Sequence, residues 1–216
     1  SGDDVHGIAR KRFDGPEEGF NRVLADVDAA DPTVVLVAYG FSEASDGKPA
    51  VSRFQAGLEK LVGELKSGNR KIVLMAPLAM PGYRVTDYDF WISECRRVVE
   101  LVGRRAEVPV ISISWQPTAA ELTEDQLLPN PAGYSHLAGQ LADRLVGGQR
   151  CRTRSAAMLE RIVEKNELFF HHYRPQNETY LLLFRKHEQG NNAAEIEQFR
   201  PLIEQADREI WQLATR

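Results

Sequence analysis

Apolar positions recur at two different periods along the chain, and the alternation between them suggests an architecture. Val34-Val35-Leu36-Val37-Ala38 is an unbroken apolar run, mostly β-branched, that empties through Tyr39 into Gly40 and small polar residues. Runs of this kind are strands buried on both faces of a parallel sheet. Asp31-Pro32 ahead of it and Asp46-Gly47-Lys48-Pro49 behind it are turn punctuation. The pattern predicts a central strand from Val34 and a loop from Gly40. Ile72 to Ala76, stopped by Pro77, is a second buried run, and Val108 to Trp115 a third.

Between these runs the apolar spacing is helical. Phe20, Val23, Leu24 and Val27 predict a helix over 16–30, opened by Pro16-Glu17-Glu18. Phe54, Leu58, Leu61, Val62 and Leu65 predict one over 51–65, and Trp91, Cys95, Val98, Val99 and Val102 one over 87–105. After a long loop over 116–131, a fourth helix is predicted over 132–146. Strand and helix alternating with short links give an α/β fold of three layers, flavodoxin-like, with a mostly parallel sheet between helices. Three strands leave one side of such a sheet uncovered, so leading strands are expected from sequence ahead of Ser1.

The composition shifts beyond Gly147-Gly148. Arg150, Arg152 and Arg154 mark a linker, 155–170 and 195–214 read as helices, and Tyr180 to Phe184 reads as a short strand or packed segment. The expected organisation is an α/β domain over 1–146 and a mainly helical C-terminal extension over 147–216.

A hydrophobic content of 43% against 27% charged residues supports a core, while no apolar run reaches the roughly 20 residues that span a bilayer. A soluble protein is expected, secreted or periplasmic in a bacterium if exported. The net charge of -4 lacks the basic face that nucleic acid requires. Cys95 and Cys151 have no metal-ligand spacing, and neither do His171-His172 and His187, so no metal and no cofactor are expected. Asn177-Glu178-Thr179 fits a short glycosylation pattern.

Open α/β sheets bind ligands at the carboxyl ends of their strands. Two stretches fall there: Gly40-Phe41-Ser42-Glu43 after the first run, and Thr123 to Tyr134, ending Pro129-Asn130-Pro131-Ala132-Gly133-Tyr134, after the third. Together, and in this order, they resemble the SGNH (GDSL-type) esterase and lipase family. Its members carry Gly-x-Asn-Asp at the first place and Asp-x-x-His before an Ala-Gly-Tyr ending at the second. Ser1-Gly2-Asp3-Asp4-Val5 resembles the block whose glycine N–H helps form the oxyanion hole, and residues 169–192 resemble a tail found in a bacterial subgroup. The likeness covers roughly residues 1–146.

What the resemblance implies can be set against this chain part by part. The oxyanion hole would use Gly2 and, at the Asn position, Ser42, with Gly40 and Glu43 as further residues of that turn. A hydroxyl donates one hydrogen bond over a shorter reach than an amide, which weakens the site. The orienting acid falls on Asp125 and the His that takes the nucleophile's proton on Leu128, which carries no proton. His136 would replace it only in a rearranged loop. No Gly-Asp-Ser occurs in the chain, so the serine nucleophile is expected upstream of Ser1. The substrate implied is a small-molecule or carbohydrate ester carrying an acyl or acetyl group. The alternative is an inactive homologue serving as a carbohydrate-binding or protein-interaction module. Without their partners, Asp125 would simply cap its turn, and Ser42 and Glu43 would bond local backbone.

Overall fold

The computed structural model describes residues 3–8, 15–80, 82, 85–113, 120–125, 128–147, 155–173, 183–189 and 193–215. The chain divides into two compact units, Ser1–Gln149 and Arg150–Arg216. In the first, strands β1 (Val34–Val37), β2 (Lys71–Met75) and β3 (Val110–Ile111) form a parallel sheet in the order β1-β2-β3. Helices α1 (Glu18–Ala30), α2 (Phe41–Asp46), α3 (Lys48–Lys66), α4 (Tyr88–Ala106) and α5 (Pro131–Val146) surround it.

Among the three described strands β2 lies in the middle and the Val34 run lies beside it. Side chains of β2 alternate between two helical layers, as the two-residue period of a strand requires. Ile72 and Leu74 point into the larger core, with Phe54, Leu58 and Leu61 of α3 and Ile92, Cys95 and Val99 of α4. Burying each large aliphatic side chain there contributes about 1.5–3 kcal/mol. Val73 points the other way, into a smaller core with Ile111 and Ile113 that Leu137 and Leu141 of α5 cover. The register sets Leu36 beside Val73 and Val34 beside Lys71, on the α5 side of the sheet. That helix leaves them uncovered: Leu36 is 37% and Val34 48% exposed. The apolar run thus marks a strand with one buried face and one open face.

Two further expectations change. Among the described residues the third strand pairs over Val110–Ile111 alone. Leu74 N–H bonds Pro109 O and Ala76 N–H bonds Ile111 O, both at 2.9 Å. Ser114 and Trp115 lie outside the described residues. The second change is α2, which occupies what reads as a loop.

The second unit holds α6 (Ala156–Tyr173), α7 (Ala193–Ile196) and α8 (Phe199–Ala214). Pro201 explains why α7 and α8 are separate helices rather than one: inside a continuous helix its ring would clash with the carbonyl of Glu197, whereas in the first turn of α8 it fits. Helices α6 and α8 pack together around Ile203 and Ala206 and are joined by Lys165–Asp207 and by Arg161–Glu209 at 2.7 Å. A ring nitrogen of His172 lies 3.0 Å from Ile196 O. Tyr180 and Asn177-Glu178-Thr179 lie outside the described residues. Among those described, no helix is long and apolar enough to cross a membrane.

Candidate active-site turns

In a parallel sheet every strand delivers its following turn to the same edge. The turn after β1 and the loop after β3 therefore share the carboxyl edge of this sheet, where the sequence placed its candidate residues.

The turn after β1 is built around Gly40. Its φ of 116° lies where L side chains are strained, and a Cβ there would stand 2.9 Å from Pro77 Cγ and 3.1 Å from Cys95 Cβ. The chain passes from Gly40 directly into α2, so Ser42 and Glu43 are helical. Ser42 is half-buried, and among the described residues its hydroxyl has no hydrogen-bond partner.

Glu43 turns inward and is 1% exposed. Its Oε2 accepts the Gly40 N–H at 3.0 Å, and its Oε1 accepts the Val5 N–H at 2.8 Å from far along the sequence. Burial raises the Glu43 pKa above the ordinary carboxylate value and the nearby Asp4 raises it further, while the backbone donors at Val5 and Gly40 oppose both. The same surroundings hold Tyr39 as a neutral phenol, raised by burial and then by Asp3, Glu43 and Asp4. Burial, Glu43 and Glu94 push the Cys95 thiol up to about 12, which leaves it inert at neutral pH.

Residues 3–8 fold onto this turn. Asp4, also buried, accepts the N–H groups of His6 (3.0 Å) and Ile8 (3.3 Å) and pairs with Arg53 of α3 at 3.2 Å. Val5 and His6 lie over Gly57, where a Cβ would come within 2.5 Å of Val5. Gly2, the expected oxyanion donor, lies outside the described residues.

The loop after β3 is organised differently. Thr123 and Pro129 form an isolated antiparallel bridge. Asn130 caps α5 by accepting the Gly133 N–H at 2.9 Å, its amide donates to Glu121 O at 2.7 Å, and Pro131 takes the first helical position. Gly133 is required because a Cβ would lie 2.1 Å from Leu122 O. This is what the Asn-Pro-Ala-Gly pattern does physically: it folds the loop back on the first turn of the helix. Asp125 is exposed, and its Oδ1 accepts the N–H of Leu128 at 2.8 Å. Leu128 is itself 58% exposed. His136 sits exposed on α5 with its ring nitrogen 2.8 Å from Gln140 Nε2. Among the described residues no group of His, Cys, Asp and Glu could hold a metal ion.

Solved structures of similar architecture superpose on this chain. A lipase/acylhydrolase from Enterococcus faecalis superposes with a TM-score of 0.51 at 24% identity, covering 68% of this chain and 72% of its own. Axe2, an acetylxylan esterase from Geobacillus stearothermophilus, gives 0.51 at 22% identity, over 71% and 72% of the two chains. The chain has the SGNH-hydrolase fold. No protein-family model and no curated protein matches the sequence.

Within the SGNH-hydrolase fold, the residue that sequence reasoning undervalued is Glu43. A Gly-x-x-Glu spacing puts a carboxylate within reach of the turn's own N–H, which was visible. Its second partner, Val5, was not, because nothing in the sequence says that residues 3–8 return to this turn.

Proposed function

We propose that residues 1–149 form an ester-recognising domain, for acyl or acetyl esters of carbohydrate, whose own proton-accepting position has been lost. One observation carries the reading: the residue three after Asp125 is an exposed leucine, and the Asp125 carboxylate is bonded to that leucine's N–H. Axe2 has been crystallised as catalytic mutants of an aspartate and of a histidine three residues after it, the same spacing as Asp125 and Leu128. The Asn130 cap and the close approach of Gly133 to Leu122 hold this loop without a histidine at position 128. Losing the base of a hydrolytic triad lowers turnover by roughly a million-fold.

Residues 1–216 hold no Gly-Asp-Ser. The test is hydrolysis of a short-chain aryl acetate by the natural full-length protein beside its Leu128→His and Leu128→His/Ser42→Asn variants. The parent should be inert, the first variant should gain turnover, and the second should gain further, up to the hundred- to thousand-fold that about one oxyanion donor supplies. A parent that already turns over and is silenced by His136→Ala overturns the reading, because the base has then moved. Variants that stay inert overturn it as well.

A further inference from the structure

We infer that Glu43 is a positioning residue whose ionised carboxylate couples two separate backbone segments, residues 3–8 and the turn at Gly40–Ser42, at the carboxyl ends of the strands where Ser42 lies. The coupling is direct: one oxygen accepts from Val5 N–H and the other from Gly40 N–H. These segments are otherwise held by different neighbours. Residues 3–8 are secured by Asp4 to Arg53, by the close approach of Val5 to Gly57 and by that of Gly7 to Gly19, all away from the Gly40 turn. The Gly40 turn is secured by its packing against Pro77 and Cys95. Glu43 ties one set to the other.

A neutral side chain could fill the same volume, but a carboxylate offers two acceptors and no donor. Once protonated, one of its oxygens carries a hydrogen that faces a backbone N–H, and one of the two bonds is lost. The groups around it decide when that happens. Asp3 and Asp4 stand on the 3–8 segment, with Arg53 of α3 paired to Asp4; Tyr39 follows β1; and Cys95 lies on α4 with Glu94 behind it. The near carboxylate and the burial disfavour the charge, so the coupling is set to loosen at a pH above the ordinary 4.5 of a glutamate.

The consequence for catalysis rests on the ester reading above: the coupling would fix the spacing between a donor of the N-terminal block and Ser42. The coupling itself does not depend on that reading, and the first measurement is independent of activity. Amide hydrogen exchange is followed at Val5 and Gly40 in residues 1–216 from pH 4 to 8, corrected for intrinsic rates. In the parent, protection at one or both amides should fall about tenfold or more as pH drops through the Glu43 titration, with no such fall at Leu58 and Leu74. In Glu43→Gln the protection should be low and flat with pH, and Glu43→Asp, one methylene shorter, should fail to restore both bonds.

Protection at Val5 and Gly40 that ignores pH in the parent overturns the inference, even where the variants do not fold. So does a uniform loss of protection across α3 and β2 in a folded Glu43→Gln, which would mark a residue supporting the whole fold. A second arm uses the natural full-length protein carrying Leu128→His, where adding Glu43→Gln should lower kcat about ten- to a hundred-fold with KM little changed. A Leu128→His protein without activity overturns the ester reading and leaves the exchange result to decide the role of Glu43. An active one in which Glu43→Gln leaves kcat intact overturns the positioning role.

Discussion

The two turns at the carboxyl edge of the sheet are held by opposite means. The Gly40 turn is organised from inside, by a buried carboxylate with two backbone donors and a glycine at positive φ packed on Pro77 and Cys95. The loop over 120–131 is organised from its ends, by the Asn130 cap and the close approach of Gly133 to Leu122, while Glu124, Asp125 and Leu128 are exposed. Where folding and site geometry share the same groups, chemistry-bearing residues are hard to lose. Where a loop folds without such groups, its side chains are free to change, and the exposed Leu128 lies in a loop of that kind.

This contrast can be broken most forcefully at the inner turn. Glu43→Ala leaves two buried N–H groups without an acceptor and should cost about 2–4 kcal/mol by denaturant unfolding. Gly40→Ala adds a strained backbone to a Cβ contact of 2.9 Å and should cost about 1–3 kcal/mol. In the outer loop the effects shrink. Asn130→Ala removes the α5 cap and should cost about 1 kcal/mol. Asp125→Ala removes one exposed hydrogen bond and should cost about 0.5–1 kcal/mol. Leu128→His should stay within about 0.5 kcal/mol of the parent, as surface changes do. A Leu128→His cost equal to that of Glu43→Ala would erase the distinction between the turns.

The pH dependence sharpens it. The folded pKa of Glu43 is raised, so the folded state binds its proton more tightly than the unfolded chain does. The stability this group contributes is fully present below its unfolded pKa and is lost as pH rises through the raised folded value. The unfolding free energy of the parent minus that of Glu43→Gln should therefore fall between pH 4 and the titration point. Local protection of the Val5 and Gly40 amides moves the other way, rising over the same range. Opposite signs from one carboxylate separate the burial of charge from the bonds that the charge makes.

The helices from α1 to α5 with more than three turns were legible because their apolar positions hold a 3.6-residue period against the cores. Helix α2 was not, since Phe41–Asp46 is too short to show a period and is flanked by Gly40 and Gly47, which look like loop. The first and third apolar runs read as equally buried strands. Hydropathy reports what a segment could bury, whereas the reach of α5 decides what it does bury. In the site, Gly40, Asn130 and Gly133 were visible as pattern and Leu128 as a departure from it. The inward turn of Glu43 depends on a contact between distant segments, which no local pattern encodes.

Gly7 and Gly19 meet backbone to backbone: a Cβ on Gly19 would lie 2.1 Å from Gly7 O, and one on Gly7 would lie 2.4 Å from the Gly19 carbonyl carbon. Neither position can gain a side chain unless the crossing opens, so neither can change alone. Among sequences descended from a common ancestor with this chain, the two columns should remain glycine together, and a lineage that loses one should lose the other soon after. That paired record would reveal which relatives still fold their leading segment onto α1.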